Sequence, residues 1–377
     1  MLDKYKDLIN KAKLAKLDTL SIWYSFFKMK EDPFLSQISS EEIDYFVDRD
    51  DVIDNIIYDM GVASRGIPIT TLIIGPNGSG KTAILQYLQE VLKRLKQQYP
   101  DEYSFSGGLQ PSNSLFENLE ETGEKKEDVQ LWVKICKESR DYLLVDDAKS
   151  TYVKTIMREF TRTKFKVFAI SPLECNEVYA SLPIAPKIQF LHHFDLRVAE
   201  QMLDKRIKRA FIDRGSDITI FDLFSEDALR AIHKYSMGVP GLILKCASKS
   251  LNLLLDIYRH SVAPNILEKQ KVTLDIASRV CKVTKCFQAF TEFENISQIK
   301  IEVLQQILKS GRTPTEISSI LRKDRTTISR HLNDLRELGL VEFTTRGRES
   351  VYEISEPLKV RFEIESMPKG EWNFASA

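Results

Sequence analysis

The chain has 377 residues, enough for two or three domains with proper cores, and its 54 Lys plus Arg against 54 Asp plus Glu leave no net charge. That balance excludes a polycation, so any affinity for nucleic acid must come from a local patch. Five scattered cysteines, of which only Cys281 and Cys286 lie close and without further Cys or His to complete a zinc tetrad, exclude a disulfide framework and predict reduced, mostly buried thiols of a cytosolic protein.

Residues 1–30 predict an amphipathic helix, with Ile9, Leu14, Leu17 and Leu20 among lysines. Such a helix either packs on the body of the protein or addresses a protein partner or a membrane surface. Its apolar stretch Leu20–Phe27 is too short for a signal peptide or a membrane span, which makes the cytoplasm the expected location. Phe46 to Asp50, with Arg49 in it, leads into a predicted helix from Val52 to Met60. Thr71–Ile74 is then a short, β-prone apolar run.

Gly75, Pro76, Asn77, Gly78, Ser79, Gly80, Lys81 and Thr82 follow as a complete phosphate-binding loop. The spacing lets the turn wrap backbone N–H groups around a polyphosphate. Lys81, expected to stand exposed at the loop, reaches the β- and γ-phosphates, and the Thr82 hydroxyl holds Mg²⁺. Ile84, Leu88, Val91, Leu92 and Leu95 recur at helical spacing, so the loop sits between a buried strand and a helix. This context predicts a nucleoside triphosphate site rather than a glycine-rich surface turn.

The polar stretch Gln97–Lys126 reads as a surface loop or insertion. Ser106-Gly107-Gly108-Leu109-Gln110 has the look of a transporter-ATPase signature, but Pro111 and the long gap to the next acidic motif exclude it. Tyr142–Val145 is a second buried strand ending in Asp146-Asp147. Asp146 would join Thr82 in holding the Mg²⁺ shell, and Asp147 stands where an acid activates the attacking water. Two acids capping a helix is the plainer alternative. Lys166–Ile170 is a third strand, ending in Ser171-Pro172; Ser171 either touches the γ-phosphate or the water, or caps a helix. A fourth strand spans Ile188–Leu191. Strands alternating with helices predict a parallel sheet covered on both faces.

From Leu196 to about Cys281 the pattern is wholly helical: Leu196–Phe211, Ser225–Tyr235, Leu242–Tyr258, and Leu274–Val280 capped by Thr273. After Glu294 come three short helices and two strands. Ile299–Leu308 is amphipathic, and Thr313-Pro314-Thr315-Glu316 is a capping box that starts a helix to Leu321. Asp324 caps a third helix reaching Leu338, with Ile328, Leu332 and Leu335 on its buried side. At 100° per residue its opposite side presents Thr326, Arg330, Asn333 and Glu337. Leu340–Thr344 and Val351–Ile354 form a hairpin whose tip, Thr345 to Glu349, carries Arg346 and Arg348. The economical account is a helix-turn-helix with a basic wing that reads double-stranded DNA. Arg330 and Asn333 lie at the bases, since Arg pairs bidentately with guanine and Asn with adenine, and Thr326 and Thr327 are further DNA-binding positions. Arg322, Lys323, Arg325, Arg346 and Arg348 lie at phosphates. Its rival is a winged helix used for protein contact, because Asp324, Asp334 and Glu337 dilute the positive field.

The order of these motifs resembles the AAA+ ATPases, in particular the archaeal initiator and origin-recognition-like branch with a C-terminal winged helix. The likeness covers roughly residues 30–355. It rests on Arg49 in a Phe-x-x-Arg motif, Gly75–Thr82, Asp146-Asp147, Ser171, and Gly238-Val239-Pro240 opening a lid helix. It implies a helical arm over 1–40, an αβα nucleotide domain over 41–193, a helical lid over 194–288 and a winged helix-turn-helix over 289–377. It further implies ATP with Mg²⁺, adenine between the 46–60 segment and the lid, with Arg49 and Pro240 as nucleotide contacts, and self-association through the AAA+ domain. Three positions depart from the family pattern: Asp147 for Glu, Gly241 for an Arg after the Gly-x-Pro, and Lys187 for a neighbouring subunit's finger Arg. Losing one charge-stabilising contact costs about 10²–10³ in rate. The expectation is therefore a slowly hydrolysing nucleotide switch, with Asp147 and Ser171 as the catalytic pair, acting as a replication initiator-like DNA-binding protein. The alternatives are a signalling-type regulatory ATPase that acts on transcription, and a transposition or plasmid-partition ATPase.

Overall fold

In the computed structural model, residues 29, 32–34, 47–98, 107–111, 141–210, 218–259, 271–293, 296–347 and 349–367 are described. The predicted helix over residues 1–30 lies almost wholly outside them. The described residues divide into two compact units: Met1–Gln37 with Phe194–Glu292, and Ile38–His193 with Phe293–Ala377.

The second unit is organised by strands of period two. In β1 (Ile69–Ile74), Ile73 joins one hydrophobic cluster while Leu72 and Ile74 join another. The same alternation separates Leu144 from Leu143 and Val145 in β3 (Tyr142–Asp146). It also separates Val167 and Ala169 from Phe168 and Ile170 in β4 (Phe165–Ile170). Successive strand side chains point to opposite faces, so the sheet has a core on each side. Helices Asp50–Ser64 and Lys81–Gln98 close one face with Ile53, Ile56, Ile84 and Leu88. Helices Ser150–Glu159 and Cys175–Tyr179 close the other with Val153, Ile156 and Val178. With β2 (Gly107–Pro111) and β5 (Lys187–Phe190) the order is β2-β3-β4-β1-β5, and every neighbouring pair is parallel. This is the αβα layering expected from the sequence.

One reading of the 97–126 stretch needs correction. Gly107–Pro111 is not surface loop but the edge strand of the sheet, pairing residue by residue with Tyr142–Asp146. An edge position tolerates the glycines and Pro111, because among the described residues the side away from β3 makes no ladder bonds.

The winged helix belongs to the same unit. Its helices are Gln298–Ile307, Pro314–Leu321 and Arg325–Glu337, followed by the antiparallel pair β6 (Val341–Arg346) and β7 (Glu349–Ile354). The hairpin is longer than the sequence suggested, with Thr345 and Arg346 inside β6 and the turn confined to its tip. Arg312 adds a third short rung by exchanging both backbone hydrogen bonds with Tyr352 (3.1 and 2.9 Å). A further helix, Glu356–Glu365, continues from β7, and the Ser355 N–H bonds Leu340 O at 2.9 Å to tie it to the domain.

The first unit is helical, with Leu196–Ala210, Ile220–Leu223, Glu226–Tyr235, Pro240–Arg259, Leu274–Val283 and Cys286–Thr291. Ser225 caps the third of these through Ala228 N–H at 3.2 Å. Phe34 packs edge-on against Phe224, and Cys246, Cys281 and Cys286 are buried free thiols. Among the described residues no helix is long and apolar enough to cross a membrane.

Candidate nucleotide site and DNA-reading face

The phosphate loop is built by close approach. A Cβ on Gly75 would lie 2.5 Å from Ser79 Oγ and 2.9 Å from Leu191 Cβ, so only glycine fits there. Gly80 takes φ +98, a conformation that side chains rarely adopt. The turn closes with Ser79 N–H on Pro76 O at 3.1 Å. Ser79 Oγ is buried and has no hydrogen-bond partner among the described residues. A buried hydroxyl left unsatisfied inside a phosphate loop suits a loop built around a polar ligand.

Lys81 differs from expectation. It is half-buried rather than exposed, and its Nζ folds back to donate to Gly75 O at 2.6 Å and Pro76 O at 3.0 Å. Burial pulls its ammonium below the usual lysine range, opposed first by the Glu363 carboxylate and then by Asp146 and Asp147. Thr82 Oγ1 donates to Asp146 Oδ2 at 2.7 Å, and the Asp147 N–H donates to Asp146 Oδ1 at 3.0 Å. A hydroxyl beside a carboxylate, at the start of a helix and the end of a strand, is an oxygen donor set suited to Mg²⁺. Asp147 itself is exposed, with a left-handed φ of +49 that turns the chain out of β3.

Ser171 ends β4 and plays two parts. Its Oγ accepts from Leu173 N–H at 3.3 Å, capping the 3₁₀ turn Pro172–Glu174, and donates to Glu363 Oε1 at 2.7 Å. Arg49 is buried and directs Nη2 to His192 O at 2.7 Å, which pins the start of helix Asp50–Ser64 to the segment after β5. Burial lowers its pKa, with Asp48 opposing. Lys187 is largely exposed and lies 3.7 Å from the buried Asp59 carboxylate. In the helical unit, Pro240 is the buried first residue of its helix and Gly241 the second.

Sequence reasoning missed Glu363. It is 2% exposed, and its Oε2 accepts the Asn77 N–H at 2.5 Å while Oε1 accepts from Ser171. The start of its helix was readable, since Ser355-Glu356-Pro357 is a start signal with proline in the first turn. Nothing in the spacing marks a glutamate at the helix's far end for burial in a loop 286 residues away.

On the winged helix, Asp324 Oδ1 accepts from Thr326 N–H at 2.7 Å and Thr327 N–H at 3.3 Å, so its charge is spent on the helix start. Ile328, Leu332 and Leu335 are fully buried, whereas Thr326, Arg330, Asn333 and Glu337 are exposed along one face; Thr327 is half-buried. Arg322, in a left-handed turn, with Lys323 and Arg325, is exposed at the helix entrance. Asp334 pairs with Lys300 at 3.0 Å, which holds its carboxyl below the usual range and removes it from the surface field. Arg346 ends β6 opposite Glu349, and Arg348 lies outside the described residues.

Residues 297–342 match the family model of the bacterial regulatory proteins of the arsR family. The chain is 20% identical over 176 residues to an uncharacterised HTH-type transcriptional regulator of Methanocaldococcus jannaschii, a match covering 46% of this chain and 40% of that protein. The chain therefore spans well under half the length of that relative. Among solved structures it is similar to Drosophila ORC bound to DNA, with TM-score 0.45, 12% identity, and 88% of this chain and 90% of that one covered. It is also similar to C. elegans PCH-2, with TM-score 0.42, 15% identity, and 65% and 72% covered. Likenesses at that level carry no argument, and the fold rests on the chain's own layers, loop and strand order. The described residues form an α/β unit in which a phosphate loop precedes a helix on a five-stranded parallel sheet, together with a second, helical unit and a helix-turn-helix that matches the arsR-family model over residues 297–342.

Proposed function

We propose that this protein binds ATP with Mg²⁺ through Gly75–Thr82 and Asp146, hydrolyses it slowly, and binds double-stranded DNA through its winged helix. The observation that carries the reading is the Thr82–Asp146 hydrogen bond of 2.7 Å beside a loop that only glycine can build. Lys81 would neutralise the terminal phosphates, and Thr82 with Asp146 would hold the metal. Mg²⁺, when bound, supplies charge stabilisation at the transferring phosphoryl group. Asp147 would orient water from its exposed turn, and Arg49 would contact the nucleotide. With Asp147 in place of Glu and with Gly241 and Lys187 in place of arginines, hydrolysis would act as a timer and not as a motor.

The functional parts follow the division into an arm over 1–40, a nucleotide domain over 41–193, a lid over 194–288 and a winged helix over 289–377. Self-association would run through the nucleotide domain, and the arm would meet a protein partner or a membrane surface. We place the protein in the cytoplasm, in an archaeal replication initiator-like role. The arsR-family match over 297–342 favours a second reading, an ATP-controlled transcription regulator. Mapping chromosomal binding sites in the native host separates the two: occupancy at replication origins supports the first, and occupancy at promoters supports the second. Specific duplex binding is common to both, and its absence would reject both.

A further inference from the structure

Glu363 reaches the phosphate loop from the winged-helix side of its unit. The helix that carries it, Glu356–Glu365, continues directly from β7, is tied to the winged helix by the Ser355–Leu340 backbone bond, and buries Leu358 and Val360. Its end runs onto the nucleotide domain. There Met367 packs on the sheet's second core, while Phe362 stacks edge-on against Phe293 at 5.0 Å and Arg361 lies over the same ring at 4.9 Å, both within the C-terminal part. A second bridge joins the same two bodies, Lys309 Nζ to Glu177 Oε1 at 2.6 Å.

A buried carboxylate must find hydrogen bonds or a counter-charge. Glu363 takes the Asn77 N–H of the loop and the Ser171 hydroxyl, and it is the first of the carboxylates acting on Lys81. These donors are the ones that a terminal phosphate would use, since Lys81 serves the β- and γ-phosphates and Ser171 stands at the neighbouring strand end. We propose that Glu363 is an internal stand-in for the terminal phosphate, so that the docked helix and a nucleoside triphosphate exclude each other while a diphosphate is tolerated. ATP binding then releases the winged helix from the nucleotide domain, and Glu363 sets the preference between the two nucleotides. This inference rests on the nucleotide reading above.

The test measures the affinities of the full chain for Mg²⁺-ATP and for ADP, in wild type and in Glu363→Gln. Removing the charge should tighten ATP by about 10- to 100-fold, within the range of measured site couplings, and move ADP by less than about 3-fold. A second measurement fixes the docked arrangement without touching the loop. A Lys309→Cys/Glu177→Cys variant joined by a short thiol-reactive linker should bind ATP about tenfold or more weakly than the same variant unjoined, with ADP again little changed. If both nucleotides bind and neither change alters their ratio, the inference is overturned and the nucleotide reading stands. If no protein binds either nucleotide, both are overturned.

Discussion

Thr82 and Asp146 come from elements 64 residues apart in sequence, yet the hydroxyl of one meets the carboxylate of the other at 2.7 Å. The contact follows from the sheet. β1 and β3 both flank β4, so the loop after β1 and the acid ending β3 reach the same edge.

That pairing predicts metal dependence. In wild type, ATP affinity should fall by about tenfold or more when Mg²⁺ is chelated, and Asp146→Asn should lose most of that response. Titrating ATP with and without chelator checks it. A variant with an unaltered Mg²⁺ response would remove Asp146 from the metal site.

Turnover should be slow. Asp147→Glu restores one methylene of reach, and its steady-state rate should equal or exceed that of wild type. A wild-type rate on the order of 10 s⁻¹ would contradict the slow-switch account.

The exposed face of helix Arg325–Glu337 separates two kinds of DNA contact. Arg330→Ala or Asn333→Ala should cost about 1–3 kcal/mol of duplex affinity and relax preference at one base position. Loss of Arg346 or Arg348 should weaken all sequences alike and lower the salt dependence by about one unit per contact. Binding measured across a sequence library at several salt concentrations reads both. If all four variants match wild type, the winged helix is a protein-docking module.

Lys166 gives a pH signature of the sheet. Burial brings its pKa from the ordinary 10.5 down to about 8, while Nζ donates to Thr163 O. The unfolded chain therefore holds the proton more tightly, and from pH 8 to 10 this group makes folding more favourable as pH rises. The slope is at most about 1.4 kcal/mol per pH unit. Wild-type stability minus that of Lys166→Met, from denaturant unfolding, should rise across that window. A constant difference would refute the shift.

Much of this was readable in advance, and the failures have physical causes. β1, β3 and β4 were found because buried parallel strands are short apolar runs, and the half-buried β5 overlaps the predicted Ile188–Leu191. The phosphate loop was found because its spacing encodes backbone geometry. Thr313 and Asp324 marked the winged helix through their caps. β2 was missed because Gly-Gly-Leu-Gln-Pro has little strand propensity of its own, and pairing with β3 imposes its conformation. Lys81 was expected in solvent because the sequence gives no sign that the loop's carbonyls hold it. Glu363 was invisible because a lone acid on a helix ordinarily reads as a solvated charge.

Nucleotide capture by the loop is the claim on which the rest depends, and Lys81→Ala tests it most directly. Because Lys81 also ties down Gly75 and Pro76, the variant's thermal unfolding should first be matched to wild type. Equilibrium titration with labelled ATP should then give saturable binding to wild type and none to the folded variant. Equal affinity in the two proteins would contradict the account.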